Sequence, residues 1–217
     1  MEFLTTLLLA ARLLLAGGPF HGAEVGAKPL QGWWALSGSS RENLTWGPVK
    51  PSFKAVLDEI GDHDAAKPTG VAIAVGLADP IFLARELGLT SPGRVPTQFL
   101  EAGGLDLGSP EPPQLPFKLA VTSPRAFTVE EQRALKPSHL IFTQGSRRQV
   151  LYSWPTGLTD QAASLVWAGD LDRDGKLDFY LVLSQHYNIQ VHTLFLSSRA
   201  KAGELVGAAA VFSQSGC

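Results

Sequence analysis

The sequence predicts a mainly β protein, an antiparallel sandwich or barrel-like sheet with one or two short helices, on three observations. From residue 30 onward, short runs rich in β-branched and aromatic residues alternate with glycine, proline, serine and asparagine turns. Apolar residues at helical spacing are scarce. Two hairpins are well marked: His139 to Thr143 turns through Gly145 to Arg148 into Val150 to Trp154, and Phe179 to Leu183 turns through Gln185 to Asn188 into Ile189 to Leu196. With 45% apolar and 18% charged side chains over 217 positions, the chain can bury a sizeable core, which excludes wholesale disorder.

At the N-terminus, residues 4–15 form an apolar run of signal-peptide length, and Gly17, Gly18 and Pro19 break it before a small-residue stretch. Residues 1–27 are therefore expected to be a signal peptide, cut after Ala23 or Ala27, with export to the periplasm or outside the cell. The competing reading is an amphipathic helix packed on the body of the protein. The run is too short, and too polar at Arg12, to be a stable membrane span.

Residues 28–217 are expected to form a single β-rich domain. Trp33 to Leu36 and Gly70 to Gly76 read as strands, whereas Phe53 to Ile60 fits a helix or a strand equally well. Residues 101–116 concentrate glycine and proline, so they are read as a long surface loop unable to sustain a central strand. Phe117 to Val121 follows as a strand. Thr128 and Glu131 have the spacing of a capping box, in which hydroxyl and carboxylate satisfy the first free amides of a short helix. Leu165 to Trp167 and Leu205 to Phe212 complete the strands. In Ile189 to Leu196 both alternating faces end apolar, which predicts a central strand.

The sharpest chemical signal is Gly169-Asp170-Leu171-Asp172-Arg173-Asp174-Gly175-Lys176-Leu177-Asp178. Asp170, Asp172, Asp174 and Asp178 take loop positions one, three, five and nine, with the Lys176 carbonyl at seven and Gly175 permitting the sharp turn. Hard oxygens at alternating positions suit Ca²⁺, held at about 2.3–2.6 Å per ligand, better than Mg²⁺, which keeps its waters in a strict octahedron. Without an ion, close carboxylates repel by about 1–3 kcal/mol per pair at an effective dielectric near 20. An EF-hand is excluded, because position twelve is Leu181 and the flanks read as strands. The loop, led by Val166-Trp167-Ala168 and followed by Phe179, resembles the calcium loop of FG-GAP and VCBS-type repeats over about residues 165–184. That resemblance implies Asp170, Asp172, Asp174 and Asp178 as side-chain ligands, Lys176 as a backbone ligand, and a loop joining two strands. With one good copy, it does not imply a propeller.

Other constellations are weaker. Asp58, Glu59, Asp62, His63 and Asp64 form an acidic cluster in which Asp62 and Asp64 could build a second cation site or a catalytic carboxylate pair. Trp33 and Trp34 must point to opposite faces of a strand, leaving one free to stack on a sugar. Asn43-Leu44-Thr45 fits a glycosylation sequon, and His139, His186 and His192 lack the spacing of a zinc site. The single cysteine, Cys217, excludes an intramolecular disulfide. No nucleophile elbow or phosphate loop is present. A formal charge of −2 gives no global basic field for nucleic acid. These residues lead us to expect an exported calcium-binding protein with a non-catalytic binding or structural role toward a protein or glycan. The alternatives are a carbohydrate-binding module using an exposed tryptophan and an extracytoplasmic hydrolase using the cluster near Asp62.

Overall fold

The computed structural model describes residues 11–64, 66–111, 114–122, 126, 128–133, 136–158, 162–184 and 186–216. Most of the predicted leader's apolar run (residues 4–10), two prolines of the 101–116 run (Pro112 and Pro113) and Cys217 lie outside these residues. The strands are β1 (Arg12–Leu14), β2 (Gly17–Phe20), β3 (Trp33–Ser37), β4 (Thr45–Val49), β5 (Ser52–Val56), β6 (Gly70–Ala74), β7 (Pro80–Arg85) and β8 (Gly93–Arg94). They continue with β9 (Thr97–Asp106), β10 (Lys118–Val121), β11 (Ser138–Gln144), β12 (Arg147–Trp154), β13 (Ala162–Gly169), β14 (Asp178–Ser184), β15 (Ile189–Leu196) and β16 (Gly207–Ser215). Two short helices, α1 (Gly22–Val25) and α2 (Val129–Arg133), and a 3-10 turn (Ser197–Arg199) complete the described elements.

The protein is mainly β and antiparallel, as the alternation predicts. A five-stranded sheet in the order β16-β15-β14-β13-β9 sits at its centre, and both predicted hairpins are present, as β11-β12 and β14-β15. Alternate residues of β14 explain the central position. Tyr180 joins a core shared with the sheets β1-β7-β3-β4-β8 and β2-β6-β5, whereas Phe179, Leu181 and Leu183 join a second core shared with β10-β11-β12. The middle sheet is thus apolar on both faces because each face covers another sheet. Trp33, Trp46, Trp167, Tyr180 and Phe82 are among the largest fully buried side chains of the first core. Burying side chains of this size contributes about 1.5–3 kcal/mol each.

Residues 11–25 contribute to the first core. Strand β1 pairs with β7, β2 pairs with β6, and Leu13, Leu14, Phe20 and Val25 are all buried. The described part of the N-terminal run therefore packs on the body as strands, not as the amphipathic helix weighed from sequence. Arg12, the charge that interrupts the apolar run, donates to the carbonyls of Val25 and Ala27, each at 2.8 Å. Glu24 receives the amide and hydroxyl of Ser215 on the last strand, each at 2.6 Å. Cleavage after Ala27 would remove two strands and these ties from the first core.

Two segments sharpen the sequence reading. The ambiguous stretch after Phe53 is a strand, β5, through Val56. The glycine-rich start of the 101–116 run is not loop but the second half of β9, an edge strand whose pairing with β13 jumps register between Leu165 and Trp167. Gly104, at φ +76°, lies in this irregular stretch, and an edge strand tolerates the missing side chains. The capping box forms as expected: Thr128 N donates to Glu131 Oε2 at 2.9 Å and Glu131 N to Thr128 Oγ1 at 3.2 Å.

Candidate metal centre

The acidic loop connects β13 to β14 in the central sheet, and backbone packing fixes where it starts. A Cβ at Gly169 would lie 2.3 Å from the Pro96 carbonyl oxygen and 2.5 Å from the Trp167 ring, so only glycine fits there. The next amide, Asp170 N, donates to Pro96 O at 2.8 Å, and Trp167 Nε1 donates to Thr97 Oγ1 at 3.1 Å. Within the loop, Arg173 and Gly175 take φ of +61° and +81°, winding the chain so that alternate side chains converge.

Asp170, Asp172 and Asp174 are brought together, each offering an oxygen within 4.8 Å of the others. Oxygens that close can share one ion at Ca²⁺ distances of about 2.4 Å, since opposite ligands would then lie about 4.8 Å apart. Internal donors take part of the oxygen surface. Asp170 Oδ1 and Oδ2 accept from Asp174 N at 3.0 Å and Gly175 N at 2.9 Å, and Asp174 Oδ1 accepts from Lys176 N at 2.9 Å. Among the described residues, Asp172 Oδ1 receives a long bond of 3.3 Å from Asp174 N, and its buried Oδ2 has no hydrogen-bond partner. A buried carboxylate oxygen without a donor is costly, and a hard cation is one chemistry that could satisfy it.

Lys176 and Asp178 sit differently. The Lys176 ammonium lies 3.0 Å from Asp174 Oδ2, an exposed pair that raises the lysine pKa. Burial opposes the same pair at Asp174, but Lys176 and the Ser197 hydroxyl hold that carboxyl below its ordinary value. Asp178 is not one of the three clustered aspartates and is fully buried. Its Oδ2 accepts from Leu171 N and its Oδ1 from Ser197 N, both at 2.7 Å, so it staples the loop entrance to the turn after β15. Desolvation pushes its pKa up to about 7, and the nearby Asp172 charge pushes in the same direction. Ser197 is a participant that sequence reasoning missed, since nothing in the acidic spacing points to a residue 19 positions away.

The cluster near Asp62 is organised by protein donors. Asp62 accepts from Asp58 N at 2.8 Å, Thr69 N at 2.9 Å and Thr69 Oγ1 at 2.5 Å, while Asp64 Oδ1 accepts from Ala66 N at 2.9 Å. Asp58, 7% exposed, accepts from Ile60 N at 3.1 Å and Gly61 N at 3.0 Å and pairs through Oδ2 with His21 Nδ1. That pairing raises the His21 pKa and lowers that of Asp58. These carboxylates close turns and tie α1 to the 58–69 loop.

Of the tryptophan pair, Trp33 is 1% exposed and donates through Nε1 to Pro29 O at 2.6 Å. The expectation of an exposed member falls to Trp34, which is half-buried and stacks on Trp46 with centroids 5.8 Å apart. His192 is buried against Tyr180, whose hydroxyl lies 2.8 Å from Nδ1, and desolvation lowers its pKa to about 4, leaving it neutral at pH 7. Among the described residues no helix is long and apolar enough to cross a membrane. Comparison with protein-family models, with curated proteins and with solved structures finds no match to this chain.

Proposed function

We propose that this protein binds one Ca²⁺ in the 170–178 loop and uses it structurally, to lock the β13–β14 connection of the central sheet in a non-catalytic binding or structural protein. One observation carries the reading: three carboxylates converge within 4.8 Å and Asp172 presents a buried oxygen with no donor. Asp170, Asp172 and Asp174 would supply carboxylate ligands and Lys176 its carbonyl, while Asp178 holds the loop through its two amide bonds. The ion supplies positive charge where the carboxylates repel. The Lys176 ammonium on Asp174 is a weak substitute, because an exposed pair is screened by water and swings away readily.

Binding to the folded chain alone stabilises by about 2.7 kcal/mol at a hundredfold excess over Kd. Thermal melting of chelator-stripped protein is therefore expected to move upward with added Ca²⁺, and less with Mg²⁺. A midpoint indifferent to Ca²⁺ overturns the structural role.

A further inference from the structure

A groove of about 510 Å³ lies where the edge strands of two sheets meet, lined by Arg41 and Glu42 of the β3–β4 connection, Arg94 of β8, and Val95, Pro96 and Thr97 at the passage into β9. Its lining is held in place from both sides. Thr45 pairs with Arg94, Val95 N donates to Leu44 O at 2.9 Å, and Arg41 reaches the Gln98 carbonyl at 3.3 Å. Pro96 O and Thr97 Oγ1 are engaged by Asp170 N and Trp167 Nε1 of the central sheet and its loop. Arg41, Glu42 and Arg94 are exposed, and neither guanidinium forms an ion pair among the described residues. Two cations in one concavity reverse the sign of a chain whose net charge is −2. The size is that of a small-molecule site, which runs to about 300–1,000 Å³. A guanidinium's planar fork matches a carboxylate, whereas the Glu42 carboxylate accepts hydroxyls and opposes a second negative charge.

We propose that this groove binds a small acidic sugar, with Arg41 and Arg94 on its carboxylate and Glu42 accepting its hydroxyls. This names a ligand class for the binding role given above, and it rests on that part of the reading and not on the ion. A neutral sugar leaves the two guanidiniums unmatched, and a plain dicarboxylate leaves Glu42 facing negative charge.

The test titrates the full chain, freed of metal, with D-galacturonate, D-galactose and succinate. Galacturonate is expected to bind about 10-fold or more tighter than either of the others. Arg41→Gln and Arg94→Gln, at exposed positions where the melting midpoint should not move, are each expected to weaken galacturonate about 10-fold. Glu42→Gln is expected to weaken galacturonate and leave succinate as tight or tighter, a split that loss of folding would not produce. Galactose binding as well as galacturonate, or galacturonate affinity unchanged in both arginine variants, overturns the inference. Succinate binding as tightly as galacturonate overturns the sugar assignment. Galacturonate uptake by a chain whose melting ignores Ca²⁺ supports the groove and overturns the calcium reading; a Ca²⁺-dependent melt without galacturonate uptake does the reverse.

Discussion

The two acidic loops of this protein, 58–69 and 170–178, resemble each other in composition and differ in how their carboxylates are satisfied. In the first, backbone amides, Thr69 and His21 occupy Asp58 and Asp62. In the second, the amides are partly turned onto Asp170 and Asp174, while Asp172 keeps a buried oxygen without a donor. Acidic composition alone therefore does not separate the two loops. The lone pair of Asp172 that the described donors leave unmatched does, and it is what the proposed cation reading rests on.

The largest effect is expected at Asp178. Asp178→Ala would leave the buried Leu171 and Ser197 amides without an acceptor and destabilise the protein by about 2–5 kcal/mol, read by denaturant unfolding. A loss below about 0.5 kcal/mol would mean that the staple between loop and turn is not formed.

Next in size is a pH effect that separates the loops. The Asp178 pKa is raised to about 7 in the fold from an ordinary value of 3.8. Its protonation favours the folded state fully below 3.8, and that stability is lost as pH rises through about 7. Ca²⁺ favours the carboxylate form, so unfolding free energies between pH 4 and 8 should slope downward in chelator and flatten with the ion. The His21–Asp58 pair behaves otherwise. Its histidine share is lost as pH rises through the raised His21 pKa and its aspartate share as pH falls through the lowered Asp58 pKa, with or without calcium. His21→Gln should abolish that part of the profile and leave the calcium-dependent slope intact; removal of the calcium-dependent slope by His21→Gln would show the loops to be coupled.

The smallest effect is expected at Lys176. Lys176→Gln removes a competitor for Asp174 while keeping the backbone carbonyl, so Ca²⁺ affinity in a calorimetric titration should rise by about threefold or less. A large loss of affinity would assign the side chain a role that the geometry does not give it.

Much of the fold is legible in the sequence because both hairpins and the central strand have two-residue periodicity with turn residues between them. The apolar residues on both faces of β15 announce a sheet covered on both sides. What escapes the pattern is long-range pairing. Residues 11–15 are apolar enough to read as part of a leader, and only their partner β7 reveals them as strand. β4 carries Pro48 and β7 begins at Pro80, so neither has an unbroken β signature. The three converging aspartates are visible as spacing, because the turn that gathers them is local. The Ser197 contact and the His21–Asp58 pair, 37 residues apart, are made by the fold itself and leave no mark in any window of sequence.

The claim that the unmatched oxygen of Asp172 makes the 170–178 loop a cation site is tested most directly by calorimetric Ca²⁺ titration of chelator-stripped wild type, Asp172→Asn and Asp62→Asn. One ion per chain is expected in wild type and in Asp62→Asn, with uptake weakened by about 100-fold or more in Asp172→Asn. Absence of uptake in wild type, or equal uptake in Asp172→Asn, would contradict it.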